Sequence, residues 1–205
     1  MKINAGQAVP AVIAMLMVAA VPLAGHCQQM SEASHSCIRD YASHHLAAAL
    51  RSCRAASAEG NVEAQTRIGN IYYNGGPEMA RDYAMALRWY RYAGANGSAF
   101  AQTRAGMMYR DGRGTGSDPA EALRWFKMAA AQGDTGAEFM IAGMYRYGKG
   151  VPRDDAEALK WYRKAAAAGD QPAQMALKQM TKPSGADESA AGEGTVTHRT
   201  VHTEW

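Results

Sequence analysis

The chain has 205 residues, of which 47% are apolar, 8% aromatic and 20% charged, and its formal net charge is +3. This length corresponds to about one domain of ~150 residues, and the composition argues against a membrane transporter, a collagen and a disulfide-stabilised miniprotein. The small net charge gives no indication of nucleic-acid binding, and we expect no nucleic-acid partner.

Residues 1–27 have the pattern of a secretory signal peptide. A positively charged start precedes an uncharged stretch from Ala8 to Ala24, and small residues follow. This stretch of about 17 residues is short for a membrane span. Cleavage is open between Ala24, Gly25 and Cys27. The sequence therefore predicts export, to the periplasm or out of the cell, with no stable membrane insertion after the signal is removed.

Cleavage at or after Cys27 leaves Cys37 and Cys53, and an even pair of cysteines in an exported protein indicates one disulfide. A helical hairpin that turns near His44 and His45 lets the two cysteines face each other. One continuous helix would instead separate them by about 24 Å and exclude the bond. We favour the hairpin and the disulfide. A zinc site on these cysteines and histidines would match no common zinc motif, so we expect neither a metal nor a cofactor.

The middle of the chain repeats with a period of 36 residues. The recurring residues are Tyr72, Tyr109 and Tyr145, Asp82, Asp118 and Asp154, Trp89, Trp125 and Trp161, and Gly97, Gly133 and Gly169. The tyrosines are spaced by 37 and 36 residues, so the first repeat has one extra loop residue. Several residue types that recur at one period indicate stacked units of two elements each.

The second helix of each repeat is the clearer of the two. In the third repeat it follows Asp154, whose carboxylate can accept a bond from an unpaired N–H of the first turn. Glu157 can return a bond to the cap, as in a capping box. The recurring glycine ends the helix, because glycine readily adopts the left-handed conformation. We expect the recurring tryptophan to be buried between neighbouring units. Replacement of Trp125 by alanine would then cost about 3–5 kcal/mol of stability.

The first helix of each repeat begins near Ala64, Ala101 and Ala137. Small or apolar residues and the recurring tyrosine gather on one face at about 100° per residue, so neighbouring backbones can come close. A Gly-x-Gly loop, such as Gly148 to Gly150, leads to the second helix. A phosphate-binding loop would need a preceding strand, which this pattern lacks, so we interpret the loop as a structural turn.

The repeated pattern Ala-Gln-x-x-x-Gly-x-x-Tyr, Gly-x-Gly and Asp-x-x-x-Ala-Leu-x-Trp-Tyr resembles the Sel-one-like repeat, a relative of the tetratricopeptide repeat. The resemblance implies an all-α fold, an α/α superhelix in the form of a right-handed solenoid. In this interpretation Ser52 and Cys53 replace the aromatic pair of a partial repeat, and Cys53 stands where tryptophan is expected. The expected segments are a capping hairpin (30–63), three repeats (64–100, 101–136 and 137–172), a closing helix (173–180) and a tail (181–205).

The tail has little apolar periodicity and is predicted to be disordered. His198 and His202 are four residues apart, which on a helix would place them on one face. Because no helix is predicted there, we expect no metal site.

The resemblance implies a non-enzymatic scaffold that binds a protein or peptide partner. Some relatives are linked to β-lactams, so the alternative is a cell-envelope enzyme or a regulator related to β-lactamase or peptidoglycan. The chain contains neither Gly-x-Ser-x-Gly nor Ser-x-x-Lys, and no histidine lies between residues 46 and 180. These absences favour the scaffold over a nucleophilic hydrolase.

First helices commonly line the concave side of this architecture, which indicates a candidate groove opposite the small-residue stripe. The candidate groove residues are Arg67, Asn70, Tyr73, Arg104, Met107, Arg110, Phe139 and Arg146. Arginines beside aromatic rings and flexible methionines would suit a peptide that carries acidic groups.

Overall fold

The structure, a computed structural model, describes residues 30–77 and 79–182, and there it consists of nine helices. They are α1 (Glu32–Ala42), α2 (Leu46–Ala58), α3 (Val62–Asn74), α4 (Tyr83–Ala95), α5 (Ala99–Asp111), α6 (Pro119–Ala131), α7 (Thr135–Tyr147), α8 (Asp155–Ala167) and α9 (Gln171–Thr181). None of them is both long and apolar enough to cross a bilayer. The predicted signal peptide and the tail beyond Lys182, with His198 and His202, lie outside the described residues.

The helices stack in the order in which they occur along the chain. Helices α1, α3, α5, α7 and α9 are called first helices below, and α2, α4, α6 and α8 second helices. Each second helix packs against the first helix before it and against the first helix after it. This arrangement confirms the predicted all-α superhelix.

Side-chain caps begin nearly every helix. The second helices α4, α6 and α8 start at Asp82, Asp118 and Asp154, each of which accepts a bond from the backbone N–H three residues later. The expected return bond from Glu157 is absent. Its carboxylate accepts instead from the Trp161 indole at 3.0 Å and from Lys160 at 2.7 Å. The cap N–H is already used, because Asp154 donates to the Tyr145 carbonyl at 2.9 Å.

The largest buried ring of each unit is the residue after the tryptophan, namely Tyr90, Phe126 or Tyr162. A Cβ added to Gly69 would lie 2.7 Å from the Tyr90 ring, and one added to Gly106 would lie 2.7 Å from Phe126. These two glycines therefore allow the paired helices to approach closely. Burial of the Tyr90 hydroxyl raises its pKa.

The recurring tryptophans contribute less to the core than the sequence indicated. They lie between units as predicted, since Trp125 packs against the α4–α5 cluster and comes within van der Waals reach of Gly94. All three are only partly buried. The reason is the indole N–H: in Trp125 it donates to Glu121 at 2.9 Å, which keeps one edge of the ring near solvent.

Buried polar side chains add hydrogen bonds within and between the units. Gln102 is 3% exposed and donates to the Gly94 carbonyl at 2.8 Å, which joins α5 to α4. It also accepts a bond from Gln132 at 2.8 Å. The third repeat has Glu138 at this position, and Lys164 forms a salt bridge with it at 2.9 Å. Buried polar side chains that are hydrogen-bonded, as Gln102 is, favour one register of packing over others.

Helices α1 and α2 form the helical hairpin that a disulfide between Cys37 and Cys53 requires. The chain turns through His44, which has a φ of +59°, and the predicted Cys37–Cys53 disulfide is present with its Cα atoms 4.5 Å apart. Both sulfurs are in a disulfide, so they are not available as zinc ligands. The expected equivalence of Cys53 with tryptophan is wrong. Cys53 is fully buried and takes the place that Tyr90 has in the next pair, so the disulfide replaces a ring-to-glycine contact.

Removal of the buried ring should cost far more stability than removal of the neighbouring indole. We expect Phe126→Ala to lower the free energy of unfolding by about 3–5 kcal/mol, because it leaves a cavity beside Gly106. Trp125→Ala should cost less, since part of that ring already contacts water. Urea denaturation followed by far-UV circular dichroism measures both, and an equal or larger loss for Trp125→Ala would contradict the assignment of the core.

Loss of the disulfide should loosen α1 and α2 selectively. The bond closes a loop with a sequence separation of 16 residues, for which chain entropy predicts about 3 kcal/mol of stabilisation. In a Cys37→Ser/Cys53→Ser variant, hydrogen exchange should accelerate in residues 32–58 and remain near wild-type in α5 to α8. Uniform acceleration across all helices would show that the hairpin is not a separate cap.

Candidate functional site

All eight groove residues predicted from the sequence are partly buried on α3, α5 and α7. Together with Tyr41, Phe100 and the exposed residues of α9 they form what we call the first-helix surface. The structure places seven of the eight in two cavities and an aromatic cluster, and it packs Met107 against the α6–α7 core.

The α7–α9 cavity contains three of the predicted residues, Arg110, Phe139 and Arg146. Its volume is about 460 Å³, which is within the range of small-ligand pockets. The remaining lining includes Met140, Tyr147, Lys149, Tyr162 and Met175. Tyr147 is 63% exposed and Met175 is 58% exposed, so the apolar wall of the cavity is open to solvent. Cationic side chains of the lining surround this wall.

The second cavity lies between α1, α3 and α5 and contains Arg67 and Asn70. It has a volume of about 500 Å³, and Tyr41 and Phe100 form its aromatic walls. Arg67 is neutralised by Glu63 at 2.6 Å. Asn70 accepts a bond from the Tyr90 hydroxyl at 2.6 Å. Both polar side chains therefore have partners within the protein, and this cavity offers less free charge than the α7–α9 cavity.

The aromatic cluster is built around Arg104. Its guanidinium carbon lies 5.2 Å from the ring centres of both Tyr73 and Phe100, and its buried Nε has no hydrogen-bond partner among the described residues. Arg113 donates to the Tyr73 hydroxyl. Met107 packs partly against the α6–α7 core. These contacts indicate that Tyr73, Arg104 and Met107 join neighbouring first helices and are less available to a partner than their sequence pattern implied.

The predicted arginines differ in how much free charge they present. Arg110 forms a salt bridge with Asp111 at 2.7 Å. Arg146 forms no salt bridge with any described residue, and its guanidinium carbon lies 5.3 Å from the centre of the Tyr147 ring. Burial raises the pKa of the Tyr162 hydroxyl in the same cavity, and the charge of Arg146 opposes that rise. The Tyr162 phenol is therefore protonated at neutral pH, and it lies beside the Arg146 guanidinium.

Several residues of the surface were not among the sequence candidates. Phe100 lies in the first turn of α5, one residue before Ala101, near which the sequence predicted the helix to begin. Met175 lies on α9, where a lone closing helix offers no repeat against which to compare it. Within the described ranges, no group of three or more His, Cys, Asp or Glu is placed to hold a metal ion. The surface offers aromatic faces, thioethers and guanidinium groups, which are binding groups.

Comparisons with known proteins agree with this architecture. The Sel1 repeat family model matches residues 62–98, 99–134 and 135–170. The crystal structure of a protective antigen present in uropathogenic Escherichia coli strains, with an SLR fold, is 36% identical at a TM-score of 0.63 and covers 66% of this chain and 29% of that chain. A Sel1 repeat protein from Oxalobacter formigenes is 30% identical at a TM-score of 0.65 and covers 71% of this chain and 59% of that chain. The chain thus spans less than two thirds of either protein. No curated protein matches it.

Substitution of two arginines of the first-helix surface should change the free energy of unfolding by different amounts. Arg104→Ala should lower the free energy of unfolding by about 1–2 kcal/mol, because it removes packing between two rings. Arg146→Ala should change it by less than about 1 kcal/mol, since its aromatic contact is with an exposed ring. Thermal and urea denaturation of the two variants check this, and equal effects would contradict the structural role of Arg104.

Proposed function

Because this chain belongs to the Sel1 repeat family, whose repeats mediate protein–protein interactions, we propose that it is an exported, non-enzymatic scaffold that holds a protein or peptide partner on its first-helix surface. The observation that carries the proposal is the α7–α9 cavity. It combines an open apolar wall with Arg146, which forms no salt bridge with any described residue. Exposed apolar patches of this kind are typical of interaction sites.

The chemistry of this cavity defines the partner segment. Phe139, Met140 and Met175 suit an apolar side chain, and methionines adapt to different shapes. Arg146 and Lys149 suit carboxylates that flank it, and a guanidinium can bind a carboxylate through two parallel bonds. The partner is therefore a segment with an apolar anchor next to one or more acidic residues.

The disulfide and the helices at both ends of the repeats support the organisation that we propose for the exported protein. The Cys37–Cys53 disulfide supports an oxidising compartment, because such bonds persist outside the cytosol. Residues 30–63 and 173–180 would then serve as caps that cover the apolar ends of the three repeats, as solenoids require. Export to the periplasm and secretion from the cell both fit this picture.

Photo-crosslinking from matched tyrosine positions tests the proposal. A benzophenone amino acid is placed at Tyr147 in the α7–α9 cavity or at Tyr92, which is 52% exposed on the second helix α4. We expect a defined crosslinked partner from position 147, and loss of that product when Arg146→Glu is added, because the charge that attracts carboxylates is reversed. Position 92 is the control.

The identity of the crosslinked peptide provides the decisive readout. Mass spectrometry should show an apolar residue flanked by acidic residues at the crosslink. The same product from position 92, or a product from position 147 that is unchanged by Arg146→Glu, would overturn the assignment of the partner to the first-helix surface.

A further inference from the structure

A second charged surface lies on the second helices, outside the groove that the sequence indicated. Two cationic positions three residues apart recur in α2, α4, α6 and α8. They are Arg51 and Arg54, Arg88 and Arg91, Arg124 and Lys127, and Lys160 and Arg163. All eight side chains are exposed. We call this set the basic ridge.

The basic ridge carries most of the positive charge of the helices. The second helices contain nine Lys and Arg against three Asp and Glu, whereas the first helices contain six against five. Arg124 and Lys160 are paired with Glu121 and Glu157. The four arginines of α2 and α4 form no salt bridge with any described residue. The unneutralised charge is therefore concentrated toward the N-terminal half.

Amphipathic side chains lie between these cations. Tyr92 is 52% exposed and Met128 is 44% exposed, each one position after a ridge cation. A cleft of about 360 Å³ between α4 and α6 is lined by Arg88, Arg91, Tyr92 and Trp125. Cations thus alternate with partly apolar rings along one side of the superhelix, and the ring edges are at the surface.

We propose that the basic ridge docks the protein on the surface of a bilayer that contains anionic phospholipids. Guanidinium groups bind phosphate through several directed bonds, and clusters of basic residues are attracted to anionic membranes. Tyrosine and tryptophan are favoured at the level of the lipid headgroups, where one end of the ring is apolar and the other is polar. The ridge presents basic side chains and aromatic rings repeatedly along an extended line. A membrane with anionic lipids is a charged surface of matching extent.

The same contacts disfavour a nucleic acid as the occupant. Binding to single strands depends on aromatic faces that are free to stack with bases. Here three of the rings already have neighbours, since Lys164 lies 5.3 Å from the centre of the Trp161 ring and the Trp89 and Tyr92 rings form a T-shaped contact. The Trp125 and Trp161 indole N–H groups are donated to Glu121 and Glu157. Ring edges suit a headgroup layer but offer no platform for a base.

Docking through the second helices leaves the first-helix surface open. None of the ridge cations lines the α7–α9 cavity. The protein could therefore hold a partner while it rests on a membrane. This inference does not depend on the identity of that partner or on the proposed groove.

Vesicle sedimentation with the full, disulfide-bonded chain tests the inference. We expect binding to vesicles of equal parts phosphatidylglycerol and phosphatidylcholine, little binding to pure phosphatidylcholine, and weaker binding as salt is added. Arg88→Gln/Arg91→Gln should lower the partition coefficient about tenfold to thirtyfold, as expected for the loss of two surface cations. Arg39→Gln/Lys178→Gln removes the same charge from first helices and serves as the matched control, with at most a small effect.

Three outcomes would overturn the inference. They are equal binding to both vesicle types, equal losses for the two double variants, and binding to a fluorescent single-stranded oligonucleotide without binding to vesicles. A second measurement covers the case in which the ridge variant does not fold. In the wild-type protein, brominated phosphatidylglycerol should quench the tryptophan fluorescence, because Trp89 and Trp125 lie beside the ridge cations, and absence of quenching would also contradict the docking.

Discussion

The superhelix depends on the packing of each first helix against a buried side chain of its second helix, and in two pairs a glycine brings the first helix directly against an aromatic ring. Gly69 meets Tyr90 in this way and Gly106 meets Phe126, with no room for a Cβ at an ordinary distance. The close approach buries a large ring completely within a unit of only two short helices. A helix pair this small has little other apolar surface to bury, so this contact accounts for much of its stability. In the first pair the disulfide occupies the same place.

The neighbouring units are held together by weaker and more varied interactions. The tryptophans are partly buried at the boundaries, Gln102 bonds to Gly94 across one of them, and Arg104 lies between rings of neighbouring first helices. Because the boundaries are less tightly packed than the units, cavities remain beside the first helices.

The two layers of helices differ in charge, and this difference separates the two proposed binding surfaces. First helices are nearly neutral and their arginines are largely engaged, by Glu63, Asp111 or aromatic rings. Second helices carry repeated, exposed cations with few acids beside them. The near-neutral net charge of the chain therefore hides a strongly basic face. The proposed partner site and the proposed membrane-docking surface therefore lie on different layers of helices.

The sequence by itself determined the repeat period, the helix pairs and their caps, because glycines, aspartates and aromatic residues recur at fixed offsets that local backbone physics requires. It also indicated the Cys37–Cys53 disulfide, since only a hairpin brings the cysteines together. It could not rank Trp125 against Phe126, because adjacent positions on a helix differ in burial only through the neighbour they meet. Nor could it show that Arg104 is packed between rings while Arg146 forms no salt bridge with any described residue. Which arginine keeps its charge available depends on contacts between units, and these are decided only when the units stack.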